Sequence, residues 1–288
     1  MLPQLSAFQD ESHLPFRWDG RANQGRADDG RPRPAALLVH GFPGTPAEMR
    51  PLAAAFHDHG WTVQGLLLPG FGPEIATLGE RTTADWVAAI HQSLDELRRD
   101  HGPLLLVGHS MGGALSIQAA ATAAVDGLIL LAPFSRLQGI LPALWPLIRL
   151  VVRQFKPFRL FKPDFRDPKL RAGISEFMGE VDLDDPAVQQ AILDFSIPAS
   201  LIDQLFKAGK SAYALAPQIH APVLILQGRN DPLARPLQSQ RLRQRFAGGA
   251  SYHELEAAHD LPQPDLPAWP EVRRLTLAFA EELRSAAP

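Results

Sequence analysis

The chain has 288 residues, of which 45% are hydrophobic and 20% charged, so it is long enough to bury a large core and too apolar for a disordered polymer. Its formal net charge of −3 offers no basic excess to neutralise a phosphate backbone, which argues against nucleic acid as a partner. Cysteine is absent, and with it disulfides, thiolate metal ligands and a cysteine nucleophile.

The first 16 residues lack both the basic region and the unbroken apolar run of a secretory leader, so a cytoplasmic location is expected. Residues 17–34, rich in Gly, Arg, Asp and Pro, read as an exposed turn region. Residues 35–39 form the first strand, and His40-Gly41-Phe42-Pro43-Gly44 is a tight loop. Thr45, Pro46 and Glu48 then look like an N-cap, a first-turn proline and the partner of a capping box. Met49, Leu52, Ala53 and Phe56 recur at helical spacing, and Gly60 stops the run.

A second strand over residues 61–68 ends at Pro69-Gly70-Phe71-Gly72-Pro73, and residues 84–99 carry Val87, Ile90, Leu94 and Leu97 on one helical face. Residues 104–107 are short and wholly apolar, as a buried parallel strand is. A small-residue helix over 113–122 leads to another apolar strand over 128–131. Strictly alternating strands and helices predict an α/β fold, a mostly parallel central sheet flanked by helices.

The rhythm breaks over residues 134–216 and resumes with a strand at 223–227, a helix from Pro236, a strand at 251–255 and a terminal helix from Trp269. The expected organisation is therefore a first core part over 1–133, a mainly helical lid over 134–216 and a second core part over 217–288. No stretch reaches the ~20 apolar residues of a spanning helix. The nearest, residues 140–152, is interrupted by Pro142, Pro146 and Arg149.

Gly108-His109-Ser110-Met111-Gly112 has the form Gly-x-Ser-x-Gly and lies between a buried strand and a helix, the context in which a sharp turn lifts a serine hydroxyl out of a sheet. A serine is a poor nucleophile unless a histidine takes its proton and a carboxylate holds that histidine. Asp231, in Gly228-Arg229-Asn230-Asp231-Pro232, and His259, in Ala257-Ala258-His259-Asp260, follow the last two strands in the order Ser, Asp, His. Rivals exist: His40 and His109 flank loop glycines and are expected to bond loop backbone, whereas His57, His59, His91 and His101 are expected at the surface. Asp203 and the group Asp182, Asp184 and Asp185 fall inside the lid. An acyl-transfer centre also needs donors for its oxyanion, and the backbone N–H groups of Phe42 and Met111 are the candidates.

Together, the loops at His40-Gly41-Phe42-Pro43-Gly44 and Leu68-Pro69-Gly70-Phe71-Gly72, the Ser110 motif, Gly228-Arg229-Asn230-Asp231, His259 and Trp86 resemble the bacterial carboxylesterase and monoacylglycerol-lipase branch of the α/β-hydrolase superfamily. The resemblance covers residues 35–131 and 223 onward. It implies hydrolysis of a small acyl ester through an acyl-serine intermediate, with no cofactor and no metal. The family often has a histidine where Phe71 stands, a departure at the pocket rim. The lid carries no matching motif, so the substrate does not carry over.

Within the lid, Ile140, Leu141, Leu144, Trp145, Leu147, Ile148, Leu150, Val151, Val152 and Phe155 are interspersed with Arg149, Arg153, Lys156, Arg159 and Lys162. Two readings compete: weak contact with a lipid interface, bases toward water or anionic headgroups, or a helix that roofs the pocket and packs on the body. The second is preferred, and both predict an apolar acyl site with Leu144 as a wall residue. The same serine, histidine and aspartate also serve amidases, aminopeptidases, thioesterases and C–C bond hydrolases, and a non-catalytic binding module on this scaffold is the remaining alternative. Dehalogenases and epoxide hydrolases are disfavoured, because they use Asp where Ser110 stands.

Overall fold

In a computed structural model, seven strands among the described residues build one sheet in the order β1-β3-β2-β4-β5-β8-β9. The structure describes residues 10–20, 32–135, 140–156, 158–159, 163–168, 170–171, 182–194 and 196–286. The strands are β1 (Phe16–Trp18), β2 (Arg33–Val39), β3 (Thr62–Leu66), β4 (His101–His109), β5 (Gly127–Leu131), β8 (Val223–Gly228) and β9 (Ser251–Leu255). All neighbours pair in parallel except β1, which runs antiparallel to β3.

Alternate side chains of each strand point to opposite faces, which divides the core in two. Ala36, Leu38, Leu105, Val107, Ile129 and Leu131 pack under α1 (Arg50–Asp58) and the terminal helix α8 (Trp269–Ala286), through Leu52, Phe56, Val272 and Leu275. Their neighbours Leu37, Leu104, Leu106, Leu128 and Leu130 face α2 (Thr83–Arg98) and α3 (Met111–Ala120), meeting Trp86, Ile90, Leu94 and Leu115. Burial on both faces is why these strands read as unbroken apolar runs. Further along the chain, α6 (Ala199–Leu215) lies against α3, and α7 (Pro236–Arg243) lies beside β8.

Between β5 and β8 none of the described elements joins this sheet. The chain passes through α4 (Ile140–Val151), β6 (Gln154–Phe155), α5 (Pro186–Asp194), β7 (Ile197–Pro198) and α6, with β6 and β7 paired antiparallel to each other. Asp203 on α6 anchors α4, accepting from Trp145 Nε1 at 2.7 Å and from Arg149 at 2.9 Å. Lys162 of the expected lid stretch, residues 136–139 and residues 172–181 lie outside the described residues. Among the described residues no helix is long and apolar enough to cross a membrane.

Several sequence expectations need correcting. Arg17 and Trp18, expected in an exposed turn, belong to the edge strand β1, because Phe16 and Trp18 cover the core beside α1. Thr45 does cap, accepting from Ala47 N at 3.4 Å, but it opens a 3-10 turn (Pro46–Met49), and α1 starts only at Arg50. A true capping box occurs instead at Thr82 and Asp85, opening α2. His101 is buried at the start of β4, its Nδ1–H donating to Leu97 O at 3.2 Å, because β4 begins three residues earlier than its apolar run suggests.

Candidate active site

The parallel strands end on one edge of the sheet, and that edge is where α/β folds gather reactive side chains. β4 ends at His109, and Ser110 follows with φ 51° and ψ −115° before α3 begins at Met111. A non-glycine residue held at positive φ stores strain, which the surroundings must enforce. They do so through backbone: Ser110 N donates to Leu131 O at 2.9 Å, while Ser110 O accepts from Phe134 N at 3.0 Å and Ala114 N at 3.2 Å. Gly112 makes the tight turn affordable in space, since a Cβ there would collide with the carbonyl oxygens of Val39 and His40.

Asp231 lies beyond β8 and His259 beyond β9. His259 Nε2 stands 2.8 Å from Ser110 Oγ, and His259 Nδ1 stands 2.7 Å from Asp231 Oδ2. An ionised carboxylate only accepts, so Nδ1 carries the proton and Nε2 is left to accept from the serine hydroxyl. The sequence-predicted Ser110, Asp231 and His259 are thus brought into one hydrogen-bonded series. The Asp231 side chain is 0% exposed and that of His259 12%.

The carboxylate is held from behind. Asp231 Oδ1 accepts the amides of Leu233 at 2.8 Å and Ala234 at 2.9 Å, and Oδ2 also accepts from Gln227 Nε2 at 3.1 Å. Burial pushes this carboxyl up, but the hydrogen bond and charge of His259 together with those two amides outweigh it, leaving it below its ordinary 3.8. It is therefore ionised at neutral pH.

Phe42 and Met111 flank the serine from two sides. Met111 is the first residue of α3, so its N–H is among those that a helix start leaves without an intrahelical acceptor. Phe42 follows Gly41, whose ideal Cβ would lie 3.1 Å from Ser110 Cβ. The Gly41–Phe42 peptide is planar, so whatever fixes Gly41 O also aims Phe42 N–H. His40 does this: Leu68 N–H donates to its Nε2 at 3.1 Å, leaving Nδ1–H to donate to Gly41 O at 2.8 Å. Full burial holds the His40 ring below its usual value, in keeping with a neutral imidazole. Phe71 is buried against His40, Phe42 and Trp86, with ring centroids 5.0, 6.1 and 5.9 Å away.

Leu144 sits on α4 and is 41% exposed; Leu147 and Leu150, one and two turns further along, are 65% and 74% exposed. Among the described residues no group of three or more His, Asp or Glu side chains is arranged to hold a metal ion. His57 and His91, on helices, and His59, just past the end of α1, are exposed or half-buried, and none of them joins the series. Asp182 and Asp185 accept the backbone amides of Asp184 and Ala187, Asp184 pairs with Arg171, and none of the three joins the series.

Two participants escaped the sequence reading. Gln227 is buried at the end of an apolar strand and reaches Asp231; a lone amide in such a run is the signal that marks it. Glu48, read as a helix cap, instead turns inward: its Oε1 accepts from Gly41 N at 2.5 Å and from His109 Nδ1 at 3.0 Å.

A mostly parallel sheet with a serine on the turn after its central strand, and an aspartate and a histidine on the loops after its last two strands, makes the molecule an α/β-hydrolase. The chain belongs to the serine aminopeptidase S33 family, whose model matches residues 30–261. Its relatives lie on the lipase and esterase branch that the sequence resembles. Over 81 residues it is 41% identical to a thermostable monoacylglycerol lipase of Bacillus sp. strain H-257, a match spanning 28% of this chain and only 32% of that relative. Among solved structures, one of the metagenome-derived lipolytic enzymes LipS and LipT superposes with a TM-score of 0.70 at 23% identity, over 94% of this chain and 98% of the other. A monoacylglycerol lipase of Paleococcus ferrophilus superposes with a TM-score of 0.64 at 21% identity, over 95% and 100% of the two chains.

Proposed function

We propose that this chain is a carboxylic ester hydrolase acting on short- to medium-chain acyl esters, with monoacylglycerols as the natural candidate. The observation that carries the reading is the Asp231–His259–Ser110 series, with the serine on a strained turn and its hydroxyl proton facing an unprotonated nitrogen. Ser110 Oγ attacks the acyl carbon while His259 Nε2 takes the hydroxyl proton, and Asp231 steadies the resulting imidazolium. The N–H groups of Phe42 and Met111 receive the oxyanion. His259 returns its proton to the departing alcohol, leaving an acyl-serine, and a water activated by the same imidazole then releases the acid. No cofactor takes part in these steps.

Residues 134–216 serve as a lid, with Leu144 at the wall or mouth of the acyl pocket. The exposure of Leu147 and Leu150 on the outer side of α4 favours weak contact with a lipid surface alongside the roofing role. The proposed location is cytoplasmic.

The test is turnover of p-nitrophenyl esters of increasing acyl length, with Ser110→Ala as control. Turnover that peaks at short or medium chains and vanishes in the variant is expected. No turnover on any ester, or turnover that survives Ser110→Ala, overturns the reading. Because the family carries an aminopeptidase description, aminoacyl p-nitroanilides are run in parallel, and a kcat/KM higher on those than on the esters assigns the same series to amide cleavage.

A further inference from the structure

Behind the proposed catalytic series runs a second one. Gly41 N–H and His109 Nδ1 meet on the same oxygen, Glu48 Oε1, at 2.5 and 3.0 Å, and the other face of the ring puts Nε2 3.2 Å from His259 O. A carboxylate and a carbonyl oxygen both only accept, so both nitrogens of His109 donate and the ring is an imidazolium paired with Glu48. Both side chains are largely buried, His109 almost completely. The His109 and His259 rings lie 5.1 Å apart between centroids.

We infer that Glu48 and His109 are positioning residues, which hold the oxyanion loop at Gly41 and the base loop at His259 in fixed relation to each other. Neither touches substrate. Glu48 stops the Gly41–Phe42 segment from drifting, while His109, sitting next to Ser110 in sequence, pins the backbone of His259, whose own ring is already committed to Ser110 and Asp231. One buried ion pair thereby sets the distance between a proposed oxyanion donor and the proposed base.

The charge balance around the ring agrees. Burial disfavours a charged His109, but the charge and hydrogen bond of Glu48, the His259 carbonyl and the nearby Asp260 outweigh it and raise the ring above 6.5. Burial likewise pushes Glu48 up, and His109 and His40 together with the Gly41 amide bring it below 4.5. The groups facing His109 are thus Glu48, Asp260, His40 and His259.

This inference rests on the proposed function, and the experiment separates the two. Glu48→Gln, His109→Gln, His109→Asn and Glu48→Gln/His109→Gln are assayed beside wild type and Ser110→Ala on a soluble short-chain p-nitrophenyl ester. In His109→Gln the amide stands near the former Nε2, and in His109→Asn near the former Nδ1, so each keeps one of the two tethers. Each single variant is expected to lose on the order of 10²-fold in kcat, as for a small misplacement of reacting groups, with KM changed by less than about 3-fold. The double variant should fall no further than the worse single one, because the pair acts as a unit.

A kcat that matches wild type, or a loss carried wholly by KM, overturns the inference while leaving the function reading intact. Absence of turnover in wild type overturns the function reading. A measurement on unmutated protein covers variants that do not fold: ¹⁵N-histidine spectra at neutral pH should show His109 with two ring N–H groups. A single ring N–H there overturns the inference on its own.

Discussion

Gln227 and His259 donate to the same oxygen of Asp231, the first at 3.1 Å from inside the sheet and the second at 2.7 Å from the pocket side. Gln227 is itself fixed by Ser239, whose hydroxyl donates to its Oε1 at 2.5 Å, and by Ala234 O, 2.7 Å from its Nε2. Replacing it by Met keeps the volume but strips Asp231 of one donor and leaves the buried Ser239 hydroxyl and Ala234 carbonyl without that partner. Stability should fall by about 1–3 kcal/mol. Urea unfolding measures this, and an unchanged midpoint would show that the amide contributes nothing.

Asp231→Asn should leave folding nearly intact, because the Asn oxygen can still accept from the amides of Leu233 and Ala234. Its NH2 group, however, then faces His259 Nδ1 and drives the proton to Nε2, where it blocks acceptance from Ser110. A kcat loss on the order of 10³–10⁴-fold is expected, as for the same change in a serine protease. If instead the variant unfolds at room temperature, followed by circular dichroism, Asp231 is a structural residue.

The loops after β8 and β9 touch closely at Gly228. A Cβ at this position would run into the carbonyl oxygens of Ala258 and Ala257, backbone that cannot yield without moving His259. Gly228→Ala should therefore destabilise the fold by roughly 1–3 kcal/mol and cut kcat together, the signature of overpacking beside a site. Wild-type kcat in a folded Gly228→Ala protein would mean that the two loops move independently.

The pH dependence of stability should be two-sided. Asp231 and Glu48 are held below 3.8 and 4.5, so the stabilisation they give is present above those values and is lost as pH falls through their folded values. His109 is raised above 6.5, so its contribution is complete below 6.5 and is lost as pH rises through its folded value. Urea midpoints measured across pH should form a plateau between these limits. Asp231→Asn should flatten the acid side and His109→Gln the alkaline side; curves that merely shift down in parallel would contradict both assignments.

Leu147→Ser/Leu150→Ser should leave turnover of a soluble short-chain ester unchanged and lower the rate on a micellar monoacylglycerol several-fold. Wild type itself should show no sharp jump in rate at the substrate's aggregation point, because α4 is held to α6 through Trp145 and Arg149. A variant that matches wild type on the micellar substrate as well would remove lipid contact from the lid's role.

The parts of this molecule that were legible in its sequence are those written in local pattern. The short apolar runs at residues 104–107 and 128–131, and the run over 223–227 that ends on Gln227, read as strands of an alternating α/β pattern, and glycines around Ser110 demand a tight turn. Glu48 was misread because its spacing from Thr45 satisfies a helix cap, whereas its actual partners, Gly41 and His109, are set by the approach of β2 and β4 in space. His101 was placed outside for a similar reason: a histidine beside a helix end says nothing about a strand folding over it. The edge strand at Phe16–Trp18 is too short for any alternation to register.

The sheet order places the three reactive groups on unequal ground. Ser110 leaves β4, which is enclosed between β2 and β5, but His259 depends on β9, which among the described residues pairs on one side only and is exposed at Ser251 and His253. Border strands open at lower free energy than the strands they flank. On gentle heating the molecule should therefore fall silent before it melts: amides of β9 exchange with solvent and the imidazole leaves the serine while the centre of the sheet still stands.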